Sequence, residues 1–223
     1  MRKRITNRNW KFRTEGVYQF LKKKLILMEF KPGQLLSEKE IVSRFKLSRT
    51  PVRQALSRME RDGLVEIIPR KGAFIKFLSM KDIREVYQVR KALEGMAARL
   101  AAEKIEIQEL KKFEDIYLNA LKKNSNENLP KIVELGLKFH DFIIDSADNQ
   151  RIKNILRDLR VQLEISRIFF LNPNPDVQPS RGIQSIKEHL AIIEGLKKRD
   201  SDLAEARMKE HITNAEKYTF SLR

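Results

Sequence analysis

Two arginines in this sequence have the spacing of a surface that reads nucleic acid. Arg49 and Arg53 lie four residues apart, so on a helix they occupy consecutive turns of one face. Guanidinium groups there could donate hydrogen bonds to phosphates and to base edges. The pattern predicts a short helix over 37–45 before them and a tight turn over 46–48. Two short helices joined by such a turn, with arginines at the start of the second, predict a DNA-binding helix-turn-helix.

Three histidines, the only ones in the chain, form the second group that could do chemistry. His189 and His211 each lie eleven residues from Asp200. If the last two helices form an antiparallel hairpin that turns there, both rings stand at one height, about 16 Å from the turn. His140 could join them from a third helix, and three imidazoles inside a bundle can bind a transition metal. Three unrelated histidines on helices are the alternative.

Arg90 interrupts an apolar stripe. On the helix predicted from Asp82 to Glu103, the stripe runs through Val86 and Leu93, and Arg90 lies between them. A charge on a buried face is costly unless it is paired. A salt bridge to Glu94, one turn further along, would satisfy it. The second interpretation is that Arg90 binds an anionic ligand in a cavity of the bundle.

The elements around the two arginines carry the start and stop signals of helices. A first helix is predicted from Thr14 to Met28 by its apolar spacing. Ser37 and Glu40 have the spacing of a capping box and begin the second helix. Ser48 is placed to cap the third helix, and Gly63 to end it.

A basic β-hairpin is predicted next. Two β-rich runs, Leu64–Ile68 and Ala73–Phe77, flank a glycine turn whose tip carries Arg70 and Lys71. A hairpin that follows a recognition helix is a wing, which can lie along the DNA backbone or enter the minor groove.

The rest of the chain is predicted to be all-helical, because apolar residues recur at steps of three and four. Six helices are expected: Asp82–Glu103, Ile107–Lys123, Leu129–Ala147, Arg151–Leu171, Ser180–Lys198 and Asp202–Phe220. The predicted fold class is therefore mainly α. An N-terminal winged helix-turn-helix over 1–78 precedes a C-terminal all-α helical bundle over 79–223.

The positive charge is concentrated in the first third of the chain. The net charge is +16, and residues 1–78 contribute +13 from 20 basic and 7 acidic residues. Such asymmetry indicates a polyanion-binding module joined to a nearly neutral one; a solubilising surface or a membrane-surface patch is the alternative. The chain has no cysteine and no apolar run of the roughly 20 residues that a membrane span needs. A cytoplasmic protein without membrane contact is expected.

The first domain resembles the GntR family of bacterial transcription regulators from Tyr18 to Phe77. The resemblance lies in Pro32-Gly33, Leu36-Ser37-Glu38, the run from Ser48 to Leu56, and Met59 to Leu64. It implies base contacts from Arg49 and Arg53 and a wing that approaches the minor groove at Gly72. It implies a phosphate contact from Thr50. Members of the FadR type often have arginine at the position of Lys39; lysine can hold a phosphate but cannot make the bidentate guanine contact of arginine, so Lys39 is not expected to read a base directly. The full set of DNA-binding residues expected is Lys39, Ser48, Arg49, Thr50, Arg53, Arg70, Lys71 and Gly72.

The second domain resembles the FCD ligand-binding domain of FadR-type members. The residues that carry the resemblance are Glu85–Glu94, Phe139-His140, Glu188-His189-Leu190 and His211-Ile212. It implies a divalent metal, zinc or nickel, on His140, His189 and His211. Members with this site also use an aspartate at the position of Gly136, which cannot ligate, so a coordination position would stay open for water or a carboxylate.

These features together predict a dimeric transcription regulator that reads a short inverted repeat in double-stranded DNA. A small carboxylate effector would bind the metal and Arg90 together. An enzyme that makes metal-bound hydroxide is one alternative, although no base is placed beside the histidines by the sequence. A non-specific chromosome-coating protein is another, and it would have no use for a large neutral second domain.

Overall fold

The structure, a computed structural model, describes residues 7–26, 29–31, 33–76, 79–122, 129–170 and 178–221. Its elements are, in order, α1 (Asn7–Ile26), β1 (Leu35–Leu36), α2 (Glu38–Phe45), α3 (Arg49–Arg61), β2 (Val65–Ile68), β3 (Gly72–Ile75), α4 (Met80–Lys104), α5 (Ile107–Lys122), α6 (Leu129–Ser146), α7 (Gln150–Phe170), α8 (Gln178–Lys197) and α9 (Ser201–Ser221). The fold is mainly α with a small sheet, as predicted. The predicted element ends at Met28, Phe77, Lys123 and Leu171 lie outside the described residues.

The chain divides into two compact units. One contains Met1–Ile83 and Arg160–Phe169, and the other contains Arg84–Leu159 and Phe170–Arg223. The helix-turn-helix and the wing belong to the first unit, and the three histidines belong to the second. Across the described ranges, no helix is both long enough and apolar enough to cross a membrane.

The helix-turn-helix is built by local signals in the sequence. The Ser37 side chain accepts a hydrogen bond from the Glu40 backbone N–H and so caps α2. Ser48 has the extended backbone of an N-cap, but its side chain makes no capping bond, so the cap predicted there is wrong in that respect. At the end of α3, Gly63 has φ +71° and its N–H donates to Glu60, while the N–H of Leu64 donates to Met59. This pair of bonds is a Schellman motif, as expected of a glycine stop.

The wing is part of a three-stranded antiparallel sheet in the order β1-β3-β2. The hairpin of β2 and β3 is the predicted one, and Ile68 pairs with Gly72 next to its turn. The short strand β1 was not expected from the sequence; it pairs Leu36 with Ala73 and buries Leu36 against the rest of the unit.

In the second unit, α8 and α9 form an antiparallel hairpin. Asp200 begins α9, because its side chain accepts a hydrogen bond from the Leu203 N–H at 2.9 Å. Gly195 lets the two helices approach closely: a Cβ added there would lie 2.9 Å from the backbone nitrogen of Ala204. The core of this unit is apolar and aromatic, with fully buried side chains that include Tyr87, Tyr117, Phe139, Ile143 and Ile186.

Candidate functional site

Helix α3 has one buried face and one exposed face. Its buried residues are Pro51, Val52, Ala55, Leu56 and Met59. Arg49, Thr50 and Arg53 lie on the exposed face, and Ser48 is exposed just before the helix. Lys39 is exposed on α2. The side chains of Arg49 and Arg53 are 76% and 65% exposed, so both guanidinium groups can reach a ligand in solvent.

A carboxylate that the sequence analysis missed joins these arginines. The Nε of Arg53 donates to both carboxylate oxygens of Glu38, at 3.0 and 3.1 Å. The Nε of Arg49 lies 4.0 Å from one of the same oxygens. Glu38 is the first residue of α2, so this cluster bridges the two helices of the motif.

Two residues at the wing tip have positive backbone φ angles. Arg70 has φ +64° and Gly72 has φ +115°. The second value is one that side chains rarely adopt, so glycine is required at position 72. The exposed residues of the tip are Arg70, Lys71 and Gly72. The tip therefore presents two cationic side chains next to a glycine, whose backbone no side chain covers.

The three histidines meet inside the helical unit. His140 comes from α6, His189 from α8 and His211 from α9, and all three are buried. The Nε2 of His140 lies 3.3 Å from the Nε2 of His189 and 3.2 Å from the Nε2 of His211. The rings of His189 and His211 are 4.5 Å apart at their centroids, which is the arrangement that their equal distance from Asp200 predicts.

Two buried carboxylates orient two of the rings. The Nδ1 of His140 is hydrogen-bonded to Glu94, which also accepts from the Nε of Arg90. The Nδ1 of His211 is 2.7 Å from Glu188, which accepts in turn from Arg181 at 2.9 Å. Each of these histidines therefore belongs to an arginine–carboxylate–histidine chain.

Neighbouring side chains determine the protonation states of the two buried carboxylates. Burial raises the pKa of Glu94, but Arg90 and His140 outweigh it and hold that pKa well below the ordinary range. Burial opposes ionisation of Glu188 too, yet hydrogen bonding to His211 and the charge of Arg181 bring its pKa to about 2. Both groups are carboxylates at neutral pH, and a carboxylate can only accept.

His189 and His211 are neutral in the same environment. Burial lowers the pKa of His211 to about 4, although its bond to Glu188 opposes the shift. Burial, reinforced by the other two histidines, also lowers the pKa of His189 well below its ordinary value. A neutral His211 that donates from Nδ1 to Glu188 has a bare lone pair at Nε2. The Nε2 of His140 lies 3.2 Å from this nitrogen.

The spacing of the three Nε2 atoms suits the coordination of a metal ion. Tetrahedral ligands at about 2.0–2.1 Å from zinc are separated by roughly 3.3 Å, and the two Nε2 separations are 3.3 and 3.2 Å. A metal cation between the nitrogens would accept a lone pair from each ring as a ligand. Carboxylates that hold the opposite ring nitrogens are the usual outer partners of metal-binding histidines. The residues therefore fit a divalent transition metal.

Over the ranges that the structure describes, three buried polar atoms without partners belong to His189 or to residues linked with the three histidines. Among the described residues, the buried side-chain atoms that make no hydrogen bond are the Nη1 of Arg90, the hydroxyl of Tyr117 and the Nδ1 of His189. The ring of Tyr117 lies 5.1 Å from that of His189, and Arg90 joins His140 through Glu94. A Cβ added at Gly136 would lie 3.1 Å from the Cε1 of His189, so this glycine directly adjoins the site.

The salt bridge predicted for Arg90 is present, and the binding of an anionic ligand stays a prediction. Arg90 is 4% exposed and makes the salt bridge to Glu94 that its helical spacing suggested. The salt bridge uses Nε only, which leaves Nη1 buried and unbonded within the described part of the chain.

Comparisons with known proteins agree across nearly the whole chain. Residues 13–75 match the bacterial regulatory proteins of the gntR family, and residues 85–214 match the FCD domain. The uncharacterized HTH-type transcriptional regulator YdhC of Bacillus subtilis strain 168 is 31% identical over 199 residues, 88% of this chain and 86% of that protein. The HTH-type transcriptional repressor RspR of Escherichia coli K12 is 29% identical over 198 residues, 89% of this chain and 85% of that protein.

A solved structure has the same fold. The structure of E. coli McbR/YncC aligns with a TM-score of 0.74 at 20% identity, over 94% of this chain and 97% of that one. The families and the named relatives are transcriptional regulators, so the chain is a regulator and not the enzyme considered as an alternative. The chain belongs to the GntR family of bacterial transcription regulators, with a GntR DNA-binding domain followed by an FCD effector-binding domain.

Proposed function

We propose that this regulator binds a short inverted repeat as a homodimer, and that a small carboxylate and a divalent transition metal in the FCD domain modulate the binding. A protein that acts on the bacterial chromosome works in the cytoplasm. The observation that carries the proposal is the convergence of three buried imidazoles, one of which is joined through Glu94 to a buried arginine with a free donor.

The metal would be held by His140, His189 and His211. Zinc and nickel both suit imidazole ligands. Such an ion supplies, when bound, a positive centre with an open position for an anionic oxygen. Gly136 adds no ligand at the position where related sites have an aspartate, so the three-histidine site keeps a net positive charge that favours a carboxylate.

Arg90 would bind the same carboxylate. A buried donor without a partner costs on the order of 1–3 kcal/mol, and more when the group is charged. A carboxylate that accepts from Nη1 removes this cost, while Nε continues to hold Glu94. The effector would thus complete an arrangement that the protein leaves unsatisfied.

On the DNA side, Arg49 and Arg53 would contact base edges in the major groove, and Ser48, Thr50 and Lys39 would contact phosphates. The wing, with Arg70, Lys71 and Gly72, would lie at the minor groove. Phosphate contacts would supply most of the affinity, and the arginines most of the sequence preference.

Effector binding can change DNA affinity only if the effector binds two arrangements of the regulator unequally. A coupling of about 1–3 kcal/mol, or roughly 5- to 150-fold in DNA affinity, is typical of such proteins. The sign of this coupling decides whether the carboxylate releases the regulator from DNA or recruits it.

The experiment is a thermal-shift titration of chelator-treated protein with Zn²⁺ or Ni²⁺, followed by acetate, succinate and citrate. A ligand at one hundred times its Kd should stabilise the fold by about 2.7 kcal/mol. The matched variant is Arg90→Lys, which keeps a cation for Glu94 but lacks a second donor nitrogen. We expect this variant to keep the metal-dependent shift and lose the carboxylate-dependent one. Equal carboxylate shifts in both proteins would contradict the role of Arg90.

A further inference from the structure

Glu38 is an acidic residue in a strongly basic part of the chain. Residues 1–78 carry 20 basic and only 7 acidic side chains, yet this one lies between the two arginines of α3. DNA is a polyanion, so a carboxylate at this place weakens phosphate binding. The position of Glu38 therefore needs an explanation other than affinity for phosphates.

The contacts with Glu38 are made through one edge of each guanidinium group. Arg53 is held by its Nε alone, and the nearest approach of Arg49 is also by Nε. Within the described residues, neither arginine donates a hydrogen bond from Nη1 or Nη2. Those two nitrogens form an edge that can donate two hydrogen bonds together to O6 and N7 of guanine.

Stability does not explain this ion pair. Exposed pairs contribute little, because both side chains lose freedom and water screens the charges, and Arg53 is 65% exposed. An acid in the first turn of α2 also favours the helix dipole, but Glu40 lies in the same turn and provides that effect as well.

We infer that Glu38 is a positioning residue for base recognition. It holds Arg53 by Nε and lies close to Arg49. The terminal nitrogens of the two arginines are therefore ordered before DNA binds and remain available to the bases. Glu38 also offsets charge that would otherwise bind phosphates of any sequence. Glu38 thus raises specificity by ordering the reading side chain and by weakening non-specific binding. The inference rests on the proposed reading of bases by Arg53.

The test compares binding to two duplexes by fluorescence anisotropy with the full-length protein. One duplex is the sequence that the wild-type protein selects from a randomised library, and the other is a scrambled version of it. The central variant is Glu38→Gln, which keeps size and removes charge. The matched control is Glu40→Gln, which removes one charge from the same helical turn. Glu38→Asp keeps the charge but shortens the reach, and is the second test of positioning.

We expect Glu38→Gln to tighten binding to the scrambled duplex a few-fold and to lower the ratio of specific to non-specific affinity roughly tenfold. Glu38→Asp should lower the ratio without changing the salt dependence, and Glu40→Gln should leave the ratio unchanged. In an Arg53→Ala background the effect of Glu38→Gln on the ratio should disappear. Melting curves of the variants should overlay that of the wild type.

An unchanged ratio in Glu38→Gln would overturn the inference. So would an equal fall in Glu40→Gln, which indicates a general charge effect, or an equal fall in the Arg53→Ala background. Failure of the wild-type protein to enrich any sequence has a different meaning: base reading itself is then wrong, and the role of Glu38 falls with it.

Discussion

Lowering the pH should destabilise the metal-free FCD domain through its buried histidines. His211 has a pKa of about 4 in the folded protein, against an ordinary value of about 6.5 in the unfolded chain. Between these values the unfolded chain binds a proton that the folded one does not, so stability falls as the pH falls. From pH 7.5 to pH 5, this one group removes about 2 kcal/mol of unfolding free energy. His189, whose pKa is also lowered by burial, adds to the loss.

The variant His211→Gln isolates this contribution. Glutamine is neutral at every pH and can still donate to Glu188, so the variant keeps the hydrogen bond and loses the titration. Urea unfolding of chelator-treated proteins at pH 7.5 and pH 5, followed by circular dichroism, measures the difference. The wild type should lose about 2 kcal/mol more than the variant. Equal losses would refute the claim that His211 is buried as a neutral imidazole.

Other predictions concern DNA binding, the metal and helix packing. Arg53→Ala should relax base preference at one position by about 1–3 kcal/mol in a selection assay; an equal loss of affinity on selected and random DNA would contradict base reading. Glu188→Gln should weaken zinc binding roughly 10- to 100-fold in a competition titration, because His211 loses its carboxylate partner; unchanged affinity would show that this carboxylate does not support the site. Gly195→Ala should destabilise the protein by about 1–3 kcal/mol through backbone crowding. Gly16→Ala, where a Cβ meets nothing within 4 Å, should stabilise α1 by about 0.5–1 kcal/mol in thermal unfolding. Equal effects of the two alanines would show that crowding is not the cause.

The features predicted well from the sequence depend on local signals or simple geometry. The helix-turn-helix follows from a cap at Ser37 and a glycine stop at Gly63, both set by residues within a few positions. The meeting of His189 and His211 follows from the hairpin at Asp200, because equal distances from a turn place side chains at equal height.

The features that were missed depend on how elements cross. Glu38 and Arg53 are fifteen residues apart, and only the angle between α2 and α3 brings them into contact. Glu94 and His140 lie on different helices, 46 residues apart, and no periodicity relates them. A signal was present for Glu188, since it adjoins His189, but it orients His211 instead. The short strand β1 was missed because two residues are too few for an alternating pattern.

Metal content of the untagged, freshly purified protein tests the central claim most directly. The three buried imidazoles and their carboxylate partners predict about one transition-metal ion per chain, removed by a chelator and restored by zinc or nickel, with a matching rise in melting temperature. Absence of metal, together with no change in melting temperature when divalent ions are added, would contradict the account. In that case three histidines without an aspartate do not suffice, and any effector would bind through Arg90 alone.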